Sequence, residues 1–268
     1  MLSSEERLKK LAEYGISDND IIVCTIPEYE RIKTDPNYRF KKIILDIADD
    51  DYQKLLIDKF NNPEGRTYKK IINDFNNGYT EFISFLGGSQ MGKSSANLTF
   101  SIWRNGTFKF EDNIFYDLTK FLNKLKTSMK SYITLEEAER FLRSFSSSQQ
   151  QEISNIILDF YETIPFLQNS IAITQPSLRL LTRLKPKLNF VFNFFRRGVA
   201  QIYSVQTNIH NERVYFKNTK EYFMSLPLSI NLYSKYEQFN YPLKKTLLDE
   251  DISKIHQLTN RFQPNPFL

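Results

Sequence analysis

Phe82-Ile83-Ser84-Phe85-Leu86-Gly87-Gly88-Ser89-Gln90-Met91-Gly92-Lys93-Ser94 joins an apolar run to a glycine-rich turn, and a helix-compatible stretch follows at once. The turn fits G-x-x-x-x-G-K-[ST], the phosphate-binding loop known as Walker A. Glycines at these positions let successive backbone N–H groups turn inward around an anion, and the helix N-terminus that follows favours negative charge. The expected nucleotide-binding set is Gly87, Gly88, Ser89, Gln90, Met91, Gly92, Lys93, Ser94 and Ser95. In it Lys93 reaches the β- and γ-phosphate oxygens and Ser94 ligates Mg²⁺. The chain has only 8 glycines, and three of them fall inside this loop, which argues against a chance turn.

The rest of the composition sets bounds. A chain of 268 residues with 41% hydrophobic residues can bury an ordinary core in one large or two small domains. Apolar runs such as 21–26 and 153–158 are far below the ~20 residues that cross a bilayer, and Met1-Leu2-Ser3-Ser4-Glu5-Glu6 lacks a basic-then-apolar leader. The expectation is a cytoplasmic protein with no membrane span. The lone cysteine, Cys24, excludes an intramolecular disulfide, and two histidines without a cysteine cluster argue against zinc. A net charge of +5 permits a nucleic-acid partner without requiring one. Aromatic residues at 15%, with abundant Asn, Ile and Lys, match an AT-rich coding bias, which can enrich Phe without a functional cause.

The pattern along the chain divides it into an N-terminal extension over 1–78, a nucleotide-binding core over 79–207 and a C-terminal strap over 208–268. In the extension, residues 4–14 read as a short amphipathic helix, 21–26 as a strand, and 49–60 and 67–75 as helices. In the core, strands are expected at 81–86, 113–116, 131–135, 170–174, 189–195 and 199–205. Helices are expected at 93–103, 118–129, 136–143, 152–163 and 178–184, with a loop over 144–151. Strands alternating with helices predict an α/β fold with a mainly parallel sheet. Arg197-Gly198 reads as the turn of a late antiparallel β-hairpin.

A phosphate loop that hydrolyses needs carboxylates at the C-terminal ends of sheet strands. Ser131-Tyr132-Ile133-Thr134-Leu135-Glu136-Glu137 supplies them: Glu136 for the Mg²⁺ shell, where Asp is usual, and Glu137 as the base that polarises water. An acidic first turn of the helix at 136–143 is the alternative reading. Lys42-Ile43-Ile44-Leu45-Asp46 has a similar form, but it precedes the loop and runs into Asp49-Asp50-Asp51, which suits a solvated turn and helix start. Ile171-Ala172-Ile173-Thr174-Gln175-Pro176 is an apolar strand ending in polar residues. Gln175, with Thr174 second, is the candidate contact to γ-phosphate or attacking water, a strand-ending turn being the alternative. Arg196 and Arg197 are candidates to reach a neighbouring subunit's γ-phosphate, or else surface arginines at a hairpin end. Arg179, Arg183, Lys185 and Lys187 form a basic stretch suited to a DNA channel or to a solvated face.

The set of Gly87 to Ser94, then Ile133-Thr134-Leu135-Glu136-Glu137-Ala138, then Ile171-Ala172-Ile173-Thr174-Gln175 resembles the additional-strand P-loop ATPases of the FtsK–HerA type. Those encoded by archaeal viruses and plasmids, and zonula occludens toxin-like assembly ATPases, are the nearest in pattern. The resemblance spans residues 79–205, more weakly 233–245, and leaves 1–78 without a counterpart. It implies a RecA-like core, ATP and Mg²⁺ as ligands, a homo-oligomeric ring, commonly a hexamer, and double-stranded DNA moved through its centre. The function expected is an ATPase coupled to DNA translocation, as in genome packaging or plasmid transfer. A replication initiator or loader resembling AAA+ proteins, and a nucleotide-gated assembly scaffold with little turnover, are the alternatives.

Overall fold

The computed structural model describes residues 21–38, 41–105, 108–138, 167–177, 185–208 and 213–261, with single helical positions at 9, 148, 152, 155, 156, 159 and 162. The helices expected at 4–14 and 178–184, most of those expected at 136–143 and 152–163, and the loop at 144–151 otherwise lie outside these residues. In chain order the elements are β1 (Ile21–Cys24), α1 (Ile26–Ile32), β2 (Lys42–Leu45), α2 (Asp49–Asn61), α3 (Arg66–Asn76), β3 (Phe82–Leu86) and α4 (Lys93–Asn105). There follow α5 (Phe110–Asn113), β4 (Ile114–Phe115), α6 (Leu118–Thr127), β5 (Tyr132–Leu135), β6 (Ser170–Gln175), β7 (Phe190–Arg196), β8 (Val199–Thr207), β9 (Val214–Met224) and α7 (Ile230–Arg261).

The fold is mixed α/β. Among the described residues the central sheet has seven strands in the order β4-β5-β6-β3-β7-β8-β9, parallel from β4 to β7 and antiparallel through β8 and β9. The inner strands read as near-continuous apolar runs because both faces are covered. Their side chains alternate between faces. Ile83, Phe85, Tyr132 and Ala172 join one apolar cluster, while Phe82, Ile133, Leu135, Ile171 and Ile173 join another with Phe121 and Leu125 of α6. β8 and β9 sit at the open edge, where β9 carries exposed Lys217 and Lys220 that discourage further strand pairing.

The first cluster also takes in the N-terminal residues. Asp49, Asp50 and Asp51 in the first turn of α2 complement the helix dipole, and Tyr52, Leu56 and Phe60 bury one stripe. Phe60 stacks on Trp103 of α4 with centroids 4.6 Å apart, and Phe100 packs against Phe60, Phe75, Phe85, Phe192 and Phe223. The run Lys42-Ile43-Ile44-Leu45, noted for its apolar form but given no element of its own, is a strand pairing in parallel with β1. The stretch from residue 208, expected as a strap, supplies the outer strand β9 and the 32-residue helix α7. No helix among the described residues is long and apolar enough to cross a membrane.

Candidate functional site

The sheet order brings three strand ends together. β6 lies between β3 and β5, with Leu86 opposite Gln175 and Leu135 opposite Ile173. The next residues, Glu136 and Thr174, are therefore side by side at the same edge from which the glycine loop leaves β3. Two glycines in that loop have conformations that side chains resist. Gly87 has φ +141° and a Cβ there would meet the Phe194 carbonyl oxygen at 2.8 Å; Gly92 has φ +88° and a Cβ would meet Gly198 N at 3.1 Å. Those contacts seat the loop on the β7–β8 turn, where Gly198 N also donates to Met91 O at 2.9 Å.

Lys93 Nζ donates to the main-chain oxygens of Gly87 and Gly88, each at 2.6 Å. Burial lowers its pKa, and the Glu136 and Glu137 charges oppose that shift. One turn along, α4 carries a polar stripe, Ser94, Asn97, Ser101 and Asn105, at helical spacing. It faces Tyr132, Thr134 and Glu136, which share one side of β5 by the two-residue alternation of a strand.

The stripe and strand form one network. Glu136 Oε2 accepts from Ser94 Oγ at 2.8 Å and from Thr174 Oγ1 at 2.6 Å, and Oε1 accepts from Asn97 Nδ2 at 3.3 Å. Asn97 Nδ2 also donates to Thr134 Oγ1 at 2.9 Å, and its Oδ1 accepts from Tyr132 OH at 2.9 Å. Burial raises the Glu136 pKa, against the hydrogen bonds from Thr174, Ser94 and Asn97 and the charge of Lys244. A buried carboxylate and a hydroxyl in contact are hard oxygen donors, which suit a small dication more than a soft metal. Among the described residues no three or more His, Cys, Asp or Glu converge on a metal position.

Glu137 differs from its neighbour. Its φ of +52° is rare for a side-chain-bearing residue, and its main-chain N donates to Thr174 Oγ1 at 3.1 Å. The carboxylate is part-exposed and lies 3.8 Å from Lys244 Nζ of α7. Gln175 points to the opposite face of β6 from Thr174. Its Nε2 donates to Ser84 Oγ at 3.0 Å, and Oε1 is buried without a hydrogen-bond partner. Arg197 turns to its own chain's loop, with Nε donating to Gln90 O at 2.8 Å and Nη2 to Gln90 Oε1 at 3.1 Å. Arg196 ends β7.

A cavity of about 850 Å³ joins these groups: Ser89 to Ser95, Glu136, Glu137, Thr174, Gln175 and Arg197 all line it. The basic stretch is elsewhere. Lys185 and Lys187 form a short 3-10 turn before β7, at the sheet edge opposite the loop, and Lys187 Nζ contacts Glu162 at 3.3 Å. Arg179 and Arg183 lie outside the described residues.

The sequence reading missed Asn97, Thr134, Tyr132 and Lys244. The first was visible in principle, since Asn97 repeats the Ser94 position one turn on. Comparison of the chain with protein-family models, with curated proteins and with solved structures gives no match.

Proposed function

We propose that this chain is an Mg²⁺-dependent ATPase that cleaves the β–γ bond and couples it to movement of double-stranded DNA. One observation carries the hydrolytic reading: Ser94 and Thr174, from different elements, both donate to the single oxygen Glu136 Oε2 beside the glycine loop. The strand order adds support, because a strand bearing polar residues stands between the loop strand and the acidic strand, as in the additional-strand P-loop ATPases that the motifs resemble.

The residues fit the ligands. Mg²⁺ takes one or two carboxylates together with substrate phosphate oxygens and water, so Ser94 and Glu136 suffice as protein ligands. When bound, the cation supplies charge neutralisation across the β- and γ-phosphates. Lys93 exchanges its contacts with Gly87 and Gly88 for phosphate oxygens. Glu137 accepts the proton of the attacking water as oxygen bonds to the γ-phosphorus and the bond to the β-phosphate bridging oxygen breaks, leaving ADP and phosphate. Thr174 holds Glu136 and Glu137 in relation to each other. Gln175 Oε1, a buried acceptor, suits a water O–H rather than a phosphate oxygen.

DNA movement and ring assembly follow from the resemblance rather than from this site, and hydrolysis with and without duplex DNA tests the coupling. DNA-stimulated turnover is expected, and equal rates in both reactions remove the translocation step. A second reading, an AAA+-like initiator or loader, has one observation in its favour. The C-terminal helix α7 lines the cavity with Tyr233, Tyr236 and Lys244, and Lys244 Nζ lies 3.8 Å from Glu137 Oε1.

A further inference from the structure

The cavity extends well beyond the phosphate loop. Its volume, about 850 Å³, falls in the range of pockets that enclose most of a drug-sized ligand. At the loop end it is polar. Beyond the loop its wall is mixed: Met224 lies beside the β7–β8 turn, and farther along Ile43 of β2 and Leu226 of the connector from β9 to α7 are interleaved with Lys33, Lys41 and Lys42.

The backbone explains why these segments meet there. Gly198 N donates to Met91 O at 2.9 Å, and Ser225 N donates to Gly198 O at 2.7 Å, so the connector is laid beside the loop in two steps. Leu45 N then donates to Leu228 O at 2.9 Å, which docks the two-stranded sheet on the connector's far end. Lys42 Nζ sits 4.0 Å from the Tyr233 ring centroid and 3.4 Å from Glu237 Oε1, fastening β2 to α7. One continuous wall thus runs from the glycine loop to the N-terminal residues.

We propose that the apolar side chains of this wall form a nucleoside subsite, in which Ile43 of the N-terminal extension and Met224 of the connector hold the base of a nucleoside triphosphate. The inference rests on the reading of the glycine loop given above and assigns a task to residues 1–78. A triphosphate chain is strongly hydrated and gains nothing from Ile43, Met224, Leu226 and Pro227. A heteroaromatic base has two apolar faces and does gain from them. The subsite therefore makes the ligand a nucleotide rather than a bare polyphosphate.

Calorimetric titration of the full chain with ATP and with inorganic tripolyphosphate, both with Mg²⁺, tests this in wild type, Ile43→Ala, Met224→Ala and Lys93→Ala. Wild type should bind ATP at least about tenfold more tightly than tripolyphosphate. Ile43→Ala and Met224→Ala should each weaken ATP by roughly fivefold and leave tripolyphosphate within about twofold. Equal wild-type affinities for the two ligands overturn the subsite, and so does a parallel loss of both ligands in Ile43→Ala and Met224→Ala. The wild-type comparison decides even where a variant folds poorly. If both ligands bind equally and Lys93→Ala weakens both, the subsite fails while the loop reading stands. If neither binds wild type, or Lys93→Ala changes nothing, the loop reading fails and the subsite with it.

Discussion

Replacing Thr174 by Val keeps the side chain's shape and removes one hydroxyl. That hydroxyl donates to Glu136 Oε2 at 2.6 Å and accepts from Glu137 N at 3.1 Å, in a residue only 1% exposed. Losing a hydrogen bond to a charged group costs about 1.5–3 kcal/mol, and losing the part-buried bond from Glu137 N costs about 0.5–1.5 kcal/mol. Both losses fall on one atom, and Glu136 keeps Ser94 and Asn97. They therefore add incompletely, to ~3 kcal/mol. Urea unfolding at neutral pH should show this as a lower midpoint at unchanged slope. The same change frees the strained Glu137 backbone at φ +52°. ATP turnover should fall by ~10–100-fold, with ATP affinity little altered, since the loop contacts are untouched. Thr174→Ser, which restores the hydroxyl, should recover most of both. A loss below ~0.5 kcal/mol together with wild-type turnover would refute the argument that Thr174 holds the acidic pair.

Three further outcomes follow from other parts of the molecule. Burial, helped by Asp74 beside it, pushes the Glu81 carboxyl up to about 8 from 4.5, so the folded state keeps a proton that the unfolded chain releases. Stability should then fall as pH rises from about 4.5 to about 8, by on the order of 3 kcal/mol, and Glu81→Gln should flatten that slope in unfolding measured at pH 5 and pH 8. Gly87→Ala puts a Cβ 2.8 Å from Phe194 O at φ +141°, so it should displace the loop, abolish nucleotide binding by calorimetry and destabilise by ~2 kcal/mol. Phe100→Ala, emptying a fully buried site among five Phe rings, should cost ~3–5 kcal/mol in the same denaturation assay.

The contrast between what was legible and what was not has a physical basis. From Phe82 to Phe194 the described strands are mostly apolar runs, and α6 has its own start signal in Asp117, whose Oδ1 accepts from Lys120 N at 2.8 Å. Local pattern sufficed for those strands, whereas the short helix α5 carried no signal that was read, and Glu136 follows directly on β5. β2 was hidden because its four residues gain their place from β1 and from Leu228, far along the chain. β9 was hidden because an edge strand carries polar residues on its open side, so Val214 to Met224 lacks the apolar run of its neighbours. In α7, Pro242 and the many polar residues masked a helix whose buried anchors, Tyr233, Tyr236 and Asn240, are set by tertiary contact. Within the site, the order of strands decided that Thr174 faces Glu136 and Gln175 faces Ser84. Alternation along β6 separates the two residues, but only the sheet order says which side holds α4.

Phosphate release from Mg²⁺·ATP by wild type and by Glu137→Gln, with ATP binding measured in parallel on both, tests the central claim most directly. The account predicts steady turnover in wild type and loss of at least ~100-fold in the variant, with ATP bound equally well by both. Negligible turnover by both proteins, or turnover undiminished in Glu137→Gln, would contradict it.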